Sequence, residues 1–234
     1  MSASDPRRIV GFGGGGFVST PDSPLIPYVV GLSRAAGGSQ RPRVCFVPTA
    51  GGDAPHFVAA FYRTCTRLGY EASDLQLFDR DDVDPRDKLL AQDVIWVGGG
   101  NTANLLAVWR LHGVDGAMRE AWESGIVLAG SSAGMICWFE CSVTDSFGPQ
   151  LATLDDGLGF LPGSACPHYD AQARRRPVYR AAVESGFPGG YAADNDVALR
   201  FDGVDLAECV SGREGASAWR VDAEGERALP TRLL

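Results

Sequence analysis

Short apolar runs alternate along the chain with longer stretches in which apolar residues return every three or four positions. The runs at 8–12, 44–47, 71–77, 93–97 and 125–129 have the length and composition of strands. The spacing predicts helices over 24–35, 54–68, 102–111, 114–122 and 132–139. In the first of these, Leu25, Val29 and Leu32 share one face, and Asp53 stands where it would cap the second. Strand, loop and helix repeated in this way predict a mostly parallel sheet covered on both faces. Ligands bind such sheets at the carboxyl edge of the strands. The pattern changes in the last third. Segments 191–201 and 207–221 are short, strand-like and punctuated by Asp202-Gly203, Ser211-Gly212 and Glu224-Gly225. The expected fold is α/β, three-layered and doubly wound, with a mostly parallel sheet and an antiparallel C-terminal extension, in a single domain over 1–234.

Composition narrows the function. Glycine is in excess, 30 of 234 residues, but 45% hydrophobic content and the lack of a Gly-X-Y period exclude collagen and wholesale disorder. Many of these glycines lie in or beside the loops that leave predicted strands (Gly11, Gly13 to Gly16, Gly51, Gly52, Gly98 to Gly100, Gly130 and Gly134), which reads as close backbone approach around one site. The formal net charge is -8 and the one lysine is Lys88, so the basic surface that binds nucleic acid is not expected. No apolar run has the length of a membrane span, and residues 1–8 lack a signal-type apolar core. The expected location is cytoplasmic. Six cysteines without a C-x-x-C pair read as reduced core residues. Cys137 and Cys141 fall at i, i+4 on the helix expected over 132–139, but no neighbouring histidine completes a ligand set, so neither a metal nor a cofactor is expected.

Two glycine motifs could carry chemistry. Gly11-Phe12-Gly13-Gly14-Gly15-Gly16 matches a dinucleotide fingerprint, yet the acidic residue needed about 20 positions on is missing. It reads better as a backbone turn at the edge of a site. Gly130-Ser131-Ser132-Ala133-Gly134 follows a buried strand and precedes a helix, the context of a nucleophile elbow. Gly98-Gly99-Gly100-Asn101-Thr102 also follows a strand; its N–H groups could join that of Ala133 as an oxyanion hole, or the loop could simply need positive φ. A serine nucleophile needs an imidazole. His56 and His112 sit at helix ends, which leaves His168 in Cys166-Pro167-His168-Tyr169-Asp170. The residue that orients it could be Asp145, Asp170, Asp194, Asn195 or Asp196.

Taken in order, Gly98-Gly99-Gly100-Asn101-Thr102 with Leu105-Leu106, Gly130-x-Ser132-Ala133-Gly134 and Pro167-His168 resemble the dipeptidase E family of alpha-aspartyl dipeptidases, related to cyanophycinases. The stretch 212–221 resembles the C-terminal hairpin of its longer members. The resemblance implies a fold like class I glutamine amidotransferases, with Ser132 as nucleophile, His168 as base, and Gly99 or Gly100 with Ala133 as the oxyanion hole. The third triad member of the family is Glu or Asp; aligning Leu199 and Phe201 with its inward strand residues puts Asn195 there, and a shift of one puts Asp194. An amide fixes a histidine tautomer but adds no charge. The resemblance further implies a homodimer and dipeptides with an N-terminal aspartate as substrates. Asn101 and Thr102 are then substrate-binding candidates, and Arg175 and Arg176 candidates for the aspartate carboxylate. Two alternatives stay open: hydrolysis of other short or beta-aspartyl peptides, and a non-catalytic binding protein with a degenerate triad.

Overall fold

The structure is a computed structural model that describes residues 7–38 and 40–234. Among them the chain runs β1 (Arg8–Phe12), α1 (Leu25–Val30), β2 (Arg43–Val47), α2 (Pro55–Leu68), β3 (Glu71–Asp74), α3 (Pro85–Leu90), β4 (Val94–Val97), α4 (Thr102–His112), α5 (Val114–Glu123), β5 (Val127–Ser131) and α6 (Ala133–Ile136). It continues through β6 (Phe139–Thr144), β7 (Ala152–Leu154), β8 (Leu161–Cys166), α7 (Arg175–Glu184), β9 (Gly190–Ala193), β10 (Val197–Asp202), β11 (Asp205–Ser211), β12 (Ala218–Asp222), β13 (Gly225–Leu229) and β14 (Thr231–Leu233).

These strands form two sheets. The larger runs β14-β11-β10-β1-β5-β4-β2-β3. Its β1, β5, β4, β2 and β3 are mutually parallel; β10 lies antiparallel beside β1, and β11 antiparallel beside β10. The smaller runs β13-β12-β9-β8-β6-β7, with β6, β8 and β9 parallel. The expected antiparallel extension is therefore divided: β10 and β11 join the larger sheet, while the β12–β13 hairpin joins the smaller.

Alternation of period two builds the core. Val44, Phe46, Val94 and Trp96 face α1 and α2, and Cys45, Val47, Ile95 and Val97 face α4, α5 and α6. The second sheet packs on that latter side through Phe139, Leu161 and Ala193, and α7 covers its far face through Tyr179 and Val183. All six cysteines are buried and free.

Several expected elements change. The helix predicted over 132–139 is only the four residues of α6, after which β6 begins; Cys137 and Cys141 thus share no helix face. The strand predicted over 71–77 ends at Asp74, and α1 is shorter than 24–35. Asp53 does not cap α2: it sits at φ 53°, Ala54 is the N-cap residue, and the Asp53 carboxylate accepts the N–H groups of Leu77 and Phe78.

Candidate active site

The carboxyl edge of the larger sheet gathers the motifs. β5 delivers Ser132 at φ 56°, ψ -110°, a strained conformation for a residue with a side chain. The Ser132 N–H donates to the Phe12 carbonyl at 3.0 Å, and α6 starts at the next residue. The elbow closes tightly: a Cβ on Gly134 would lie 2.3 Å from the Val97 carbonyl oxygen. Only glycine fits there.

β8 ends in Cys166 and leads through Pro167 to His168, also in the left-handed region at φ 53°. The His168 N–H donates to the Gly13 carbonyl at 2.9 Å, and that of Tyr169 to Ala193 at 3.0 Å. His168 Nε2 lies 2.8 Å from Ser132 Oγ. Its Nδ1 lies 2.7 Å from Asn195 Oδ1, in the turn between β9 and β10. An amide oxygen accepts, so the imidazole proton sits on Nδ1 and leaves the Nε2 lone pair to the serine hydroxyl. Burial lowers the His168 pKa below its ordinary value; the Asn195 bond opposes this, and Arg175 adds to it.

The structure brings Ser132, His168 and Asn195 into one hydrogen-bonded series and aims Asp194 elsewhere. The Asp194 carboxylate accepts from Ser217 N–H at 2.9 Å and Trp219 Nε1 at 3.2 Å, anchoring the turn to β12. Burial raises its pKa. Two further groups fix Asn195. Asp170 accepts its backbone N–H at 2.8 Å, and Arg213, ion-paired with Asp170, donates to its carbonyl at 3.2 Å. Asp145 pairs with Arg175 at 3.3 Å. The Asp196 N–H donates to the Gly14 carbonyl at 3.1 Å. A Cβ on Gly14 would lie 2.2 Å from Asn195 Oδ1 and 2.9 Å from His168 Cε1, so the glycine run at 13–16 borders the site.

The 98–100 loop lies beside the serine: a Cβ on Gly99 would be 3.4 Å from Ser132 Cβ. Gly98 N–H is bonded to the Val47 carbonyl at 3.1 Å. Among the described residues no backbone acceptor takes the N–H of Gly99, Gly100 or Ala133. Gly99, Gly100 and Ser132 border a pocket of about 260 Å³, whose wall includes Phe17, Phe46, Phe57 and Trp96.

The other candidates are engaged away from it. Asn101 caps α4, accepting from Asn104 N–H at 2.9 Å, and its amide donates to the Ser146 carbonyl at 2.9 Å. The Thr102 N–H donates to Ser146 Oγ at 3.0 Å. Arg175 is 1% exposed and donates to the Val143 carbonyl and to Gln172. Arg176 pairs with Glu226 at 2.5 Å and stacks on Trp219, 4.3 Å from the ring centre. Neither arginine lines the pocket beside Ser132. His56 is exposed, and His112 meets Arg80 at 3.3 Å. The pocket's aromatic wall escaped the sequence reading. Its signal, Phe or Trp in strands and after glycine loops, is indistinguishable from ordinary core until the fold is known.

This chain belongs to peptidase family S51, whose model matches residues 13–209. It is 46% identical over 234 residues to the uncharacterized peptidase YgaJ of Bacillus subtilis (strain 168), covering 97% of this chain and 99% of that one. It is 29% identical over 179 residues to peptidase E of Shewanella denitrificans, covering 75% of this chain and 69% of that one. Its fold is similar to the crystal structure of a peptidase from an acI-B1 Actinobacterium, with a TM-score of 0.75 at 18% identity over 96% of this chain and 94% of that one.

Proposed function

We propose that the protein is a serine peptidase of short peptides, in which Ser132 is the nucleophile, His168 the general base and Asn195 the residue that orients the imidazole. The observation that carries this reading is the unbroken series Ser132 Oγ, His168 Nε2, His168 Nδ1, Asn195 Oδ1, with links of 2.8 and 2.7 Å. Ser132 Oγ attacks the peptide carbonyl as His168 takes its proton. The tetrahedral oxyanion sits against the N–H groups of Ala133 and of Gly99 or Gly100. His168 returns the proton to the leaving amine as the C–N bond breaks. Water, deprotonated by the same imidazole, then releases the acyl group from Ser132.

Dipeptides with an N-terminal aspartate are the substrate that the family resemblance offers. That choice rests on the resemblance alone, since Arg175 and Arg176 are engaged with other groups. The proposal includes a single catalytic domain and, again from the resemblance, a homodimer; the cytoplasmic location rests on the sequence. The chemistry is tested by kinetics on a dipeptide panel. Ser132→Ala should lower kcat by about 10⁴-fold or more while folding normally. Unchanged turnover in that variant would dismiss Ser132 as nucleophile.

A further inference from the structure

We propose that the pocket beside Ser132 is a subsite for an aromatic or branched aliphatic side chain on the residue whose carbonyl is attacked. This rests on the serine-peptidase reading above and replaces its substrate. The floor of the pocket is Phe17, Phe46 and Trp96, each 1% exposed, and its half-open rim is Phe57, Val18 and Ser19. Among the described residues, no titratable side chain other than His168 lines it. The floor is rigid: Trp96 meets Phe12 and Phe17 at ring separations of 4.8 Å, and Phe46 stacks on Phe61 at 5.1 Å.

The rings stand directly behind the candidate oxyanion loop. A Cβ on Gly98 would be 3.1 Å from the Phe46 ring, and one on Gly51 would be 2.8 Å from the Phe57 ring and 3.5 Å from the Gly99 carbonyl oxygen. A carbonyl held by the Gly99 or Gly100 donor can therefore place its own side chain next to these rings. An apolar cavity of about 150 Å³ takes a benzene ring; the 260 Å³ here holds a benzyl or isobutyl group with space over. A carboxylate entering the same space would lose part of its hydration and meet no cation among the lining residues, so aspartate is disfavoured on the acyl side.

The experiment is steady-state hydrolysis of Phe-Leu, Leu-Leu, Ala-Leu, Asp-Leu and Gly-Phe by the purified full chain. The expected result is kcat/KM for Phe-Leu or Leu-Leu at least about 100-fold above Asp-Leu, within the range that pocket contacts supply. Phe57→Ala should narrow the Phe-Leu to Ala-Leu ratio by about 10-fold, and Val18→Arg, a second rim change, should raise Asp-Leu relative to Phe-Leu. Asp-Leu turned over as well as Phe-Leu would overturn the subsite and leave the serine peptidase standing. Gly-Phe as the best substrate would move the ring to the leaving side and overturn the acyl assignment. Ratios unmoved by both variants would also overturn it. Hydrolysis of no dipeptide, with Ser132 unreactive toward a serine-directed reagent, would remove the peptidase reading and the subsite together.

Discussion

The His168–Asn195 contact sets how the site should respond to pH. Burial is the larger influence on His168, and it favours the neutral ring. A general base works when neutral, so the acidic limb of kcat/KM should lie below the ordinary histidine range. Asp145 and Asp170 act in the opposite direction and Arg175 reinforces the shift. Asn195→Asp would put a carboxylate against Nδ1 and raise the His168 pKa. The acidic limb should then move to higher pH; a limb that stays put would separate Asn195 from the titrating base. This residue-scale picture was largely legible in the sequence. Gly130-x-Ser132-x-Gly134 stood out by type and spacing and His168 by elimination, while the alignment on Leu199 and Phe201 offered Asn195 and a shift of one offered Asp194. The roles expected for Arg175 and Arg176 were not checkable there, because basic residues next to one another carry no sign of which are already paired.

At the scale of elements, the glycines around Ser132 act through the backbone of neighbouring strands. Gly134→Ala would drive a Cβ to 2.3 Å from the Val97 carbonyl oxygen, and backbone cannot swing aside as a side-chain tip does. The substitution should cost about 1–3 kcal/mol of stability in a denaturant titration. An unchanged midpoint would mean that α6 and β4 are further apart than the geometry requires. Most of the sheet's parallel half was readable because β1, β2, β4 and β5 carry apolar runs, whereas β3 reads Glu71-Ala72-Ser73-Asp74. Of the second sheet only β9 and β12 fell largely within segments read as strand-like; β8 reads Leu161-Pro162-Gly163-Ser164-Ala165-Cys166, with turn residues inside the strand. α7 hid behind Arg174-Arg175-Arg176-Pro177. Proline in the first turn of a helix loses no bond, because those N–H groups have no partner within it. α3 carried a usable signal, since Asp84 accepts the Arg86 N–H at 2.8 Å as its cap and Pro85 follows.

Across the whole molecule, the three site residues come from different parts of the fold. Ser132 leaves β5 of the larger sheet, His168 follows β8 of the smaller, and Asn195 lies in the turn that passes from one sheet to the other. Their alignment is therefore a consequence of how the sheets dock. Phe201 of β10 is a contact in that docking, with Phe139 at 5.7 Å and Tyr191 at 5.3 Å between ring centres. Phe201→Ala should cost about 3–5 kcal/mol and lower kcat more than it raises KM, because it disturbs the alignment of serine and base. A large loss of stability with kcat intact would show that the site is held locally, by the Gly13, Ala193 and Asp170 bonds, and not by sheet docking.

Treating the native protein with a fluorophosphonate and mapping the adduct by mass spectrometry shows directly whether Ser132 is an activated nucleophile. The expected result is one stoichiometric adduct on Ser132, abolished in Ser132→Ala and strongly slowed in His168→Ala. An adduct on another residue, or a folded protein that leaves Ser132 unmodified, would contradict it.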